Sequence, residues 1–188
     1  MRPAQKLQRG LSGRSDYRII PAIAADGTRY PVDKMEAHRQ GLLHDAVSVF
    51  VFDGADMLLQ QRAAGKYHCA LMWANACCTH PDWGERHEAS ARRRVREELG
   101  ADLPLTACGE TTYHADVGGG LIEHERVRLY RARVDRRDLV LNPDPAEVAQ
   151  VRWISRPALI AEIAAAPDRF APWLRIYLER WAALGLDR

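Results

Sequence analysis

Residues 84–100 of this 188-residue chain read GERHEASARRRVREELG. Apolar residues recur every four positions within this stretch, which predicts a helix over Glu88–Leu99 with one face directed at a core. The apolar stripe consists of Ala91, Val95 and Leu99. Gly100 follows where a C-terminal cap is expected. Because Arg94 and Glu98 are four residues apart, we expect their side chains to point the same way.

Two segments, one before this helix and one after it, carry candidate catalytic and metal-binding residues. Residues 75–80 read NACCTH, and residues 123–125 read EHE. In an extended chain residues i and i+2 share a face, so Cys78 and His80 should look into one cavity and the two glutamates should share a face. Imidazole and carboxylate together suit Mn, Fe, Mg or Zn, so a metal site beside the thiol is predicted. The candidate ligands are His38, His44, His80, Glu123 and Glu125.

The rest of the sequence predicts several strands, which form a sheet, and further helices that pack against it. Two short strands flank the turn Asp26-Gly27, and the apolar run Ala46–Phe52 predicts a buried strand. Further strands are predicted over Thr111–Asp116 and Glu125–Val134, and a helix over Trp173–Ala183. No regular strand–helix–strand repeat is present. The pattern therefore indicates the α+β class, an α/β sandwich with a mixed sheet flanked by helices.

Length and composition indicate one domain. We expect it to span residues 17–188, preceded by a basic, flexible tail over residues 1–16. The net charge of +2 is too small to indicate nucleic acid, and we find no run of about 18 apolar residues that would span a membrane. The adjacent pair Cys77-Cys78 is a poor disulfide candidate, so reduced thiols and a cytoplasmic setting are expected. A monomer and a homodimer both remain open.

The stretch 84–100 resembles the Nudix box, a loop–helix–loop of enzymes that act on diphosphates. The matching positions are Glu85, Arg93, Val95, Glu97, Glu98 and Gly100. Two positions depart: Thr79 stands where the box opens with glycine, and Arg94 stands where a metal-holding glutamate should follow Arg93. A cation at that position should impair metal-assisted hydrolysis and should instead help to bind a phosphate.

The whole pattern resembles the type 1 isopentenyl diphosphate isomerases, which have a Nudix-like fold, from about Pro31 to Trp181. Residues 75–81 match the thiol segment of that family, residues 123–125 match its acidic segment, and residues 169–173 resemble its C-terminal tryptophan segment. The resemblance implies an enzyme that moves a carbon–carbon double bond by one position in a small prenyl diphosphate.

The resemblance also implies roles for single residues. Cys78 and Glu125 would exchange protons with the substrate from opposite sides, Tyr113 would donate a hydrogen bond to Glu125, and Trp173 would face the cationic intermediate. The His/Glu site would hold Mn²⁺ or Mg²⁺, with Zn²⁺ as a further candidate. A second ion, Mg²⁺, would be held by Glu98 with help from the Cys78 carbonyl. The diphosphate would be bound by Lys34, Arg62, Lys66 and Arg94. The histidines expected not to bind metal are His68, His87, His114 and His124.

One further departure lies beside the diphosphate site. Between Lys66 and Trp73 the family usually carries a Pro-Gly pair, whereas this chain reads YHCALM over residues 67–72. Loss of that turn should alter the loop. Two alternative functions remain. A Nudix-type diphosphate hydrolase is disfavoured by Arg94, and a non-catalytic relative is disfavoured by the intact set of candidate residues.

Overall fold

The structure, a computed structural model, describes residues 18–187, so the tail predicted over residues 1–16 lies outside the described residues. The strands are β1 Ile19–Ile23, β2 Arg29–Asp33, β3 His44–Asp53, β4 Asp56–Arg62, β5 Trp73–Asn75, β6 Cys77–Thr79, β7 Thr106–Gly118, β8 Leu121–Arg133 and β9 Val148–Ser155. The helices are α1 Lys34–Gln40, α2 His87–Leu99, α3 Arg156–Ala165 and α4 Pro172–Glu179, with a short 3₁₀ helix at Pro167–Arg169.

β3 lies at the centre of a mixed sheet. It pairs in parallel with β8 and in antiparallel with β1, β4 and β6. β7 and β8 form a long antiparallel hairpin, β9 pairs with β4, and β1 pairs with β2 in the hairpin predicted around Asp26-Gly27. The mixed sheet and its four helices confirm the predicted fold class.

Helices cover the sheet on two sides, and β3 supplies apolar side chains to both. Its valines, at positions 47, 49 and 51, pack in one core with the predicted stripe of α2. Phe50 and Phe52 pack in a second core with Trp173 and Tyr177 of α4. A strand buried on both faces reads as a continuous apolar run, which is why β3 could be recognised from its sequence.

Three predicted boundaries were wrong by four or five residues. β7 begins at Thr106 rather than Thr111, because residues 106–110 are exposed or half-buried and show no apolar alternation. β8 begins at Leu121, four residues before the predicted Glu125, because two buried glutamates occupy core-facing positions and break the apolar alternation. Helix α4 ends at Glu179 rather than Ala183. The chain beyond it continues in turns that still bury Trp181, Leu184 and Leu186, so packing outweighs the helical pattern there.

The extended chain between Trp73 and Thr79 is divided into two strands. β5 pairs with β4, whereas β6 pairs with β3, and Ala76 lies between them. This change of partner brings the two adjacent cysteines to the middle of the sheet with opposite orientations. Over residues 18–187, no helix is long and apolar enough to cross a membrane.

Candidate active site and metal centre

One cavity gathers most of the residues selected from the sequence. It is lined by Arg18, Lys34, Arg62, Lys66, Tyr67, His68, Cys78, Thr79, His80, Arg94, Tyr113, Glu123, Glu125 and Trp173. Three further predicted residues, His38, His44 and Glu98, are buried and do not line it. The cavity is therefore lined by cationic side chains, a thiol, imidazoles and carboxylates.

The two histidines nearest the N-terminus are oriented by main-chain carbonyls. Nδ1 of His38, on helix α1, lies 2.7 Å from the carbonyl oxygen of Lys34, one helical turn earlier. Nδ1 of His44, the first residue of β3, lies 2.7 Å from the carbonyl oxygen of Leu42. A carbonyl only accepts hydrogen bonds, so each Nδ1 carries the proton and each Nε2 keeps a lone pair for a metal ion.

Four buried side chains converge on one point. They are His38, His44, His80 and Glu125, and each offers an atom within 4.8 Å of the others. Nε2 of His80 lies 3.2 Å from Nε2 of His44 and 2.8 Å from Oε1 of Glu125. Ligand atoms roughly 2.1 Å from a common ion and at right angles to each other lie about 3 Å apart, so this spacing fits a divalent ion. Nε2 of His38 is buried without a hydrogen-bond partner, and an ion would satisfy it.

Glu123 and Glu125 share a face of β8, as their spacing predicted, and both are held by Tyr113. Its hydroxyl lies 2.9 Å from Oε2 of Glu123 and 2.7 Å from Oε2 of Glu125. A phenol has one proton, so it donates to one carboxylate at a time. Glu123 is absent from the four-residue group above. It forms a second group of potential ligands with His38 and His68, although His68 was expected from the sequence not to bind metal.

Burial and close contacts shift the proton affinities of these groups. Burial raises the pKa of Glu125, but the imidazoles of His44 and His80 outweigh it and the net shift is downward. Burial, together with the charge of Glu125, raises the pKa of Glu123 well above its usual range. Burial lowers the pKa of His38 to about 4 and that of His80 to about 3. These imidazoles are therefore neutral near neutral pH, which is the form that binds metal.

Cys78 is fixed by two polar neighbours that the sequence did not single out. Its thiol donates to Oδ1 of Asn75 at 3.0 Å and lies 3.3 Å from Oγ of Ser48. Burial raises the pKa of the Cys78 thiol well above its usual range, so the sulfur holds its proton. Cys77 is fully buried in the core that includes α2, on the other side of the sheet, as the alternation of an extended chain predicts.

The four predicted diphosphate ligands all line the cavity, and Lys66 and Arg94 contact carboxylates there. Nζ of Lys66 lies 2.6 Å from Glu147, and Arg94 contacts both Glu147 at 3.1 Å and Glu98 at 2.7 Å. The contact between Arg94 and Glu98 confirms that they point the same way. Glu147 was not recognised from the sequence, because it lies in the loop before β9 and belongs to no periodic pattern. A diphosphate bound by these two cations, as the sequence predicts, would compete with Glu147 for them.

Glu98 lies apart from the two groups of potential ligands. One carboxylate oxygen accepts from Arg94, and the other accepts from Nε2 of Gln60 at 3.1 Å. Among the described residues, neither close group of potential metal ligands includes Glu98. A second ion at Glu98 therefore needs oxygens from elsewhere, such as those of a bound diphosphate.

The loop that departs from the family pattern has an unusual backbone. Cys69 has a φ of 48° and Leu71 a φ of 60°, and within residues 18–187 they alone among non-glycine residues have positive φ. His68 and Tyr67, just before these turns, line the cavity. The carbonyl of His68 accepts from Arg62, whose guanidinium lies 5.4 Å from the ring centre of Trp173. The loop therefore supports both the tryptophan and the cationic side of the cavity.

Comparison with known proteins identifies the family of this chain. A model of the NUDIX domain matches residues 42–174. The isopentenyl-diphosphate Delta-isomerase of Cereibacter sphaeroides (strain ATCC 17025) is 52% identical over 161 residues, which cover 85% of this chain and 90% of that protein. Its counterpart in Rhodobacter capsulatus is 50% identical over 163 residues, covering 86% of this chain and 92% of that protein.

Solved structures show the same fold at low sequence identity. A crystal structure from Deinococcus radiodurans superposes with a TM-score of 0.71 at 17% identity, covering 86% of this chain and 98% of that one. The fold, the NUDIX match and relatives about half identical over most of their length lead to one assignment. The chain belongs to the isopentenyl-diphosphate Delta-isomerase family of NUDIX-domain proteins.

Proposed function

We propose that this protein interconverts isopentenyl diphosphate and dimethylallyl diphosphate, with Cys78 and Glu125 as the proton-transferring residues. The observation that carries the proposal is that a protonated thiol and a carboxylate line one cavity that is also lined by five cationic residues. An isomerase of this kind needs an acid and a base at a site sheltered from water, together with a place for the diphosphate.

The reaction adds a proton to one carbon of the double bond and removes a proton from a neighbouring carbon. Cys78 holds a proton that Asn75 and Ser48 keep in a fixed direction, and Glu125 has a depressed pKa and is the complementary base. Tyr113 holds the carboxylate through its hydroxyl. The buried ring of Trp173 faces the intermediate, and a desolvated cation–π contact contributes about 2 kcal/mol.

The metal centre is the second part of the proposal. His38, His44, His80, Glu123 and Glu125 hold the ion, which is Mn²⁺ or Mg²⁺, with Zn²⁺ as a further candidate. A bound divalent cation lowers the cost of burying Glu125 as a carboxylate and sets its proton affinity. Support comes from the neutral imidazoles of His38 and His80, the 3.2 Å between Nε2 of His44 and Nε2 of His80, and the unpartnered Nε2 of His38.

The diphosphate lies at the cationic side of the cavity in this proposal. Lys34, Arg62, Lys66 and Arg94 bind its oxygens through charge-assisted hydrogen bonds, and Glu98 would help to hold a Mg²⁺ that supplies further positive charge for the diphosphate. All four cations line the cavity. We further propose a cytoplasmic protein, which agrees with four free thiols, and a monomer or homodimer.

Product analysis tests the proposal. Purified protein is incubated with isopentenyl diphosphate and Mg²⁺ or Mn²⁺, and both dimethylallyl diphosphate and free phosphate are measured. We expect isomerisation without phosphate release, and loss of activity on exhaustive chelation. Phosphate release without isomerisation would instead identify a diphosphate hydrolase. Full isomerase activity after chelation would contradict the metal requirement.

A further inference from the structure

Glu147 contacts two of the cations that are proposed to bind the diphosphate. It lies in the loop before β9, and its side chain is only 12% exposed. One carboxylate oxygen, Oε2, lies 2.6 Å from Nζ of Lys66 and 3.1 Å from Nη2 of Arg94. Burial raises the pKa of Glu147, but the hydrogen bond from Lys66 and the charges of Lys66 and Arg94 outweigh it, so the net shift is downward. The side chain is therefore an anion near neutral pH, and the proposed function assigns no role to it.

These contacts belong to a network in which carboxylates outnumber cations. Nη1 of Arg94 donates to Glu97 at 2.6 Å, and Nη2 donates to Glu98 at 2.7 Å. Together with Lys66 and Glu147, the network joins two cations to three carboxylates. The side chain of Glu97 is 41% exposed and is screened by solvent, whereas Glu98 and Glu147 are largely buried. A diphosphate that binds Lys66 and Arg94 therefore also approaches buried negative charge.

The loop that carries Glu147 is tied by its backbone to two other elements. The main-chain nitrogen of Asp144 donates to the carbonyl of Glu98, near the end of α2, at 3.0 Å. The carbonyl of Glu147 accepts from the main-chain nitrogen of Ala63, directly after β4, at 3.0 Å. Because both ends of this short segment are held, the carboxylate can leave the two cations only by rotation of its side chain.

We propose that Glu147 is a specificity-determining residue that makes the diphosphate site select the metal-complexed form of its ligand over the free anion. The inference rests on the diphosphate site of the proposed function. A free diphosphate carries several negative charges, and a bound divalent ion cancels two of them. Repulsion by a fixed charge grows with the charge of the ligand. Glu147 therefore raises the dissociation constant of the free anion more than that of its metal complex.

Calorimetric titration with inorganic pyrophosphate tests the inference without turnover. The dissociation constant is measured in a chelator and in excess Mg²⁺, for the wild type and for Glu147→Gln, in which an amide of the same shape replaces the anion. We expect the wild type to prefer the Mg²⁺ complex. Free pyrophosphate should bind to Glu147→Gln at least about 10-fold more tightly than to the wild type, and the affinity for the Mg²⁺ complex should change less.

Two controls separate the charge of Glu147 from its place in the structure. Glu147→Asp keeps the negative charge and should retain the preference for the Mg²⁺ complex. Glu162→Gln removes a carboxylate that Arg152 holds by two hydrogen bonds outside the cavity, and it should leave both dissociation constants unchanged. Thermal melts show whether each variant is folded, and Glu147→Ala is the second charge-removing variant if Glu147→Gln is not.

Failure of this inference differs from failure of the proposed function. The role of Glu147 is overturned if the charge-removing variant prefers the Mg²⁺ complex as strongly as the wild type does. It is also overturned if the wild type binds free pyrophosphate as tightly as the Mg²⁺ complex. The diphosphate site stands in both cases. If the wild type binds pyrophosphate neither with nor without Mg²⁺, the diphosphate site of the proposed function fails, and this inference fails with it.

Discussion

The thiol of Cys78 donates a hydrogen bond to the side-chain oxygen of Asn75 at 3.0 Å. The amide nitrogen of Asn75 donates to Oγ of Ser48 at 2.8 Å, and that oxygen lies 3.3 Å from the Cys78 sulfur. The three side chains therefore form a closed ring that fixes the direction of the thiol. This arrangement keeps the proton on the sulfur, as a general acid requires, and the proton must leave the Asn75 oxygen to reach the substrate.

Replacing Cys78 by alanine should lower turnover at least about 100-fold, the usual scale for a general acid–base group. The matched control is Cys77→Ala. Cys77 lies on the opposite face of the strand in the core with α2, so its loss should reduce stability but leave turnover nearly unchanged. Steady-state kinetics and thermal melts of both variants check this. Equal losses of turnover from the two changes would remove the case for Cys78.

Glu125→Gln should abolish turnover, whereas Glu123→Gln should act mainly by weakening metal binding. Glu125 contacts His80 at 2.8 Å and Tyr113 at 2.7 Å, and it has two proposed tasks, as metal ligand and as base. Glu123 has one proposed task. Metal content and turnover are measured on the same preparations. A Glu125→Gln protein that keeps its metal and near-normal turnover would show the assignment to be wrong.

Arg94→Ala should raise the Michaelis constant and leave the metal content unchanged. Losing one charge-assisted contact to the diphosphate costs roughly 1.5–3 kcal/mol, about 10- to 150-fold in kcat/KM. Arg96→Ala is the control, since Arg96 is exposed on the same helix and pairs with Asp102. If Arg94→Ala loses metal while its Michaelis constant holds, the role of Arg94 is to support the metal site through Glu98.

The pairing of Glu85 with Arg93 should make stability depend on pH. Two hydrogen bonds of 2.8 Å join the side chains, and Arg93 lowers the pKa of Glu85 below its ordinary value of 4.5. The pKa of Glu85 is lower in the folded protein than in the unfolded chain. The ion pair therefore stabilises the fold fully above pH 4.5, and this stabilisation is lost as the pH falls through the folded-state pKa. Glu85→Gln should therefore cost about 1 kcal/mol near neutral pH and progressively less in acid.

Urea denaturation at several pH values measures this difference. The control is Glu88→Gln, which removes a more exposed pair with Arg92 on the same helix and should change stability by about 0.3–0.5 kcal/mol. A Glu85→Gln penalty that stays constant down to strongly acidic pH would contradict the ionic origin of the effect.

The sequence predicted those helices and strands in which buried apolar residues recur at a regular spacing. The stripe of α2 and the apolar run of β3 were recognised because each is a regular repeat of apolar residues. The start of β8 was missed because Glu123 and Glu125 stand at core-facing positions. The glutamates of the candidate site therefore obscured the strand pattern of β8. The end of α4 was misplaced because tertiary packing buries Trp181 outside a helix.

The candidate site was predictable where its residues are neighbours in sequence. The pairs Cys78/His80 and Glu123/Glu125 follow from the two-residue period of a strand, and the structure places all four around one cavity. His68 and Glu147 could not be found in this way. They reach the site from loops, and Glu147 meets Arg94 across 53 residues of sequence, so only tertiary structure brings them there.

Heavy-water labelling tests the central claim most directly. The protein is incubated with isopentenyl diphosphate and Mg²⁺ in heavy water, and the position of deuterium in the five-carbon products is determined by NMR. The account predicts dimethylallyl diphosphate that carries deuterium from solvent, with the diphosphate intact and with labelling lost in Cys78→Ala or Glu125→Gln. Recovery of unlabelled substrate, or release of phosphate without movement of the double bond, would contradict it.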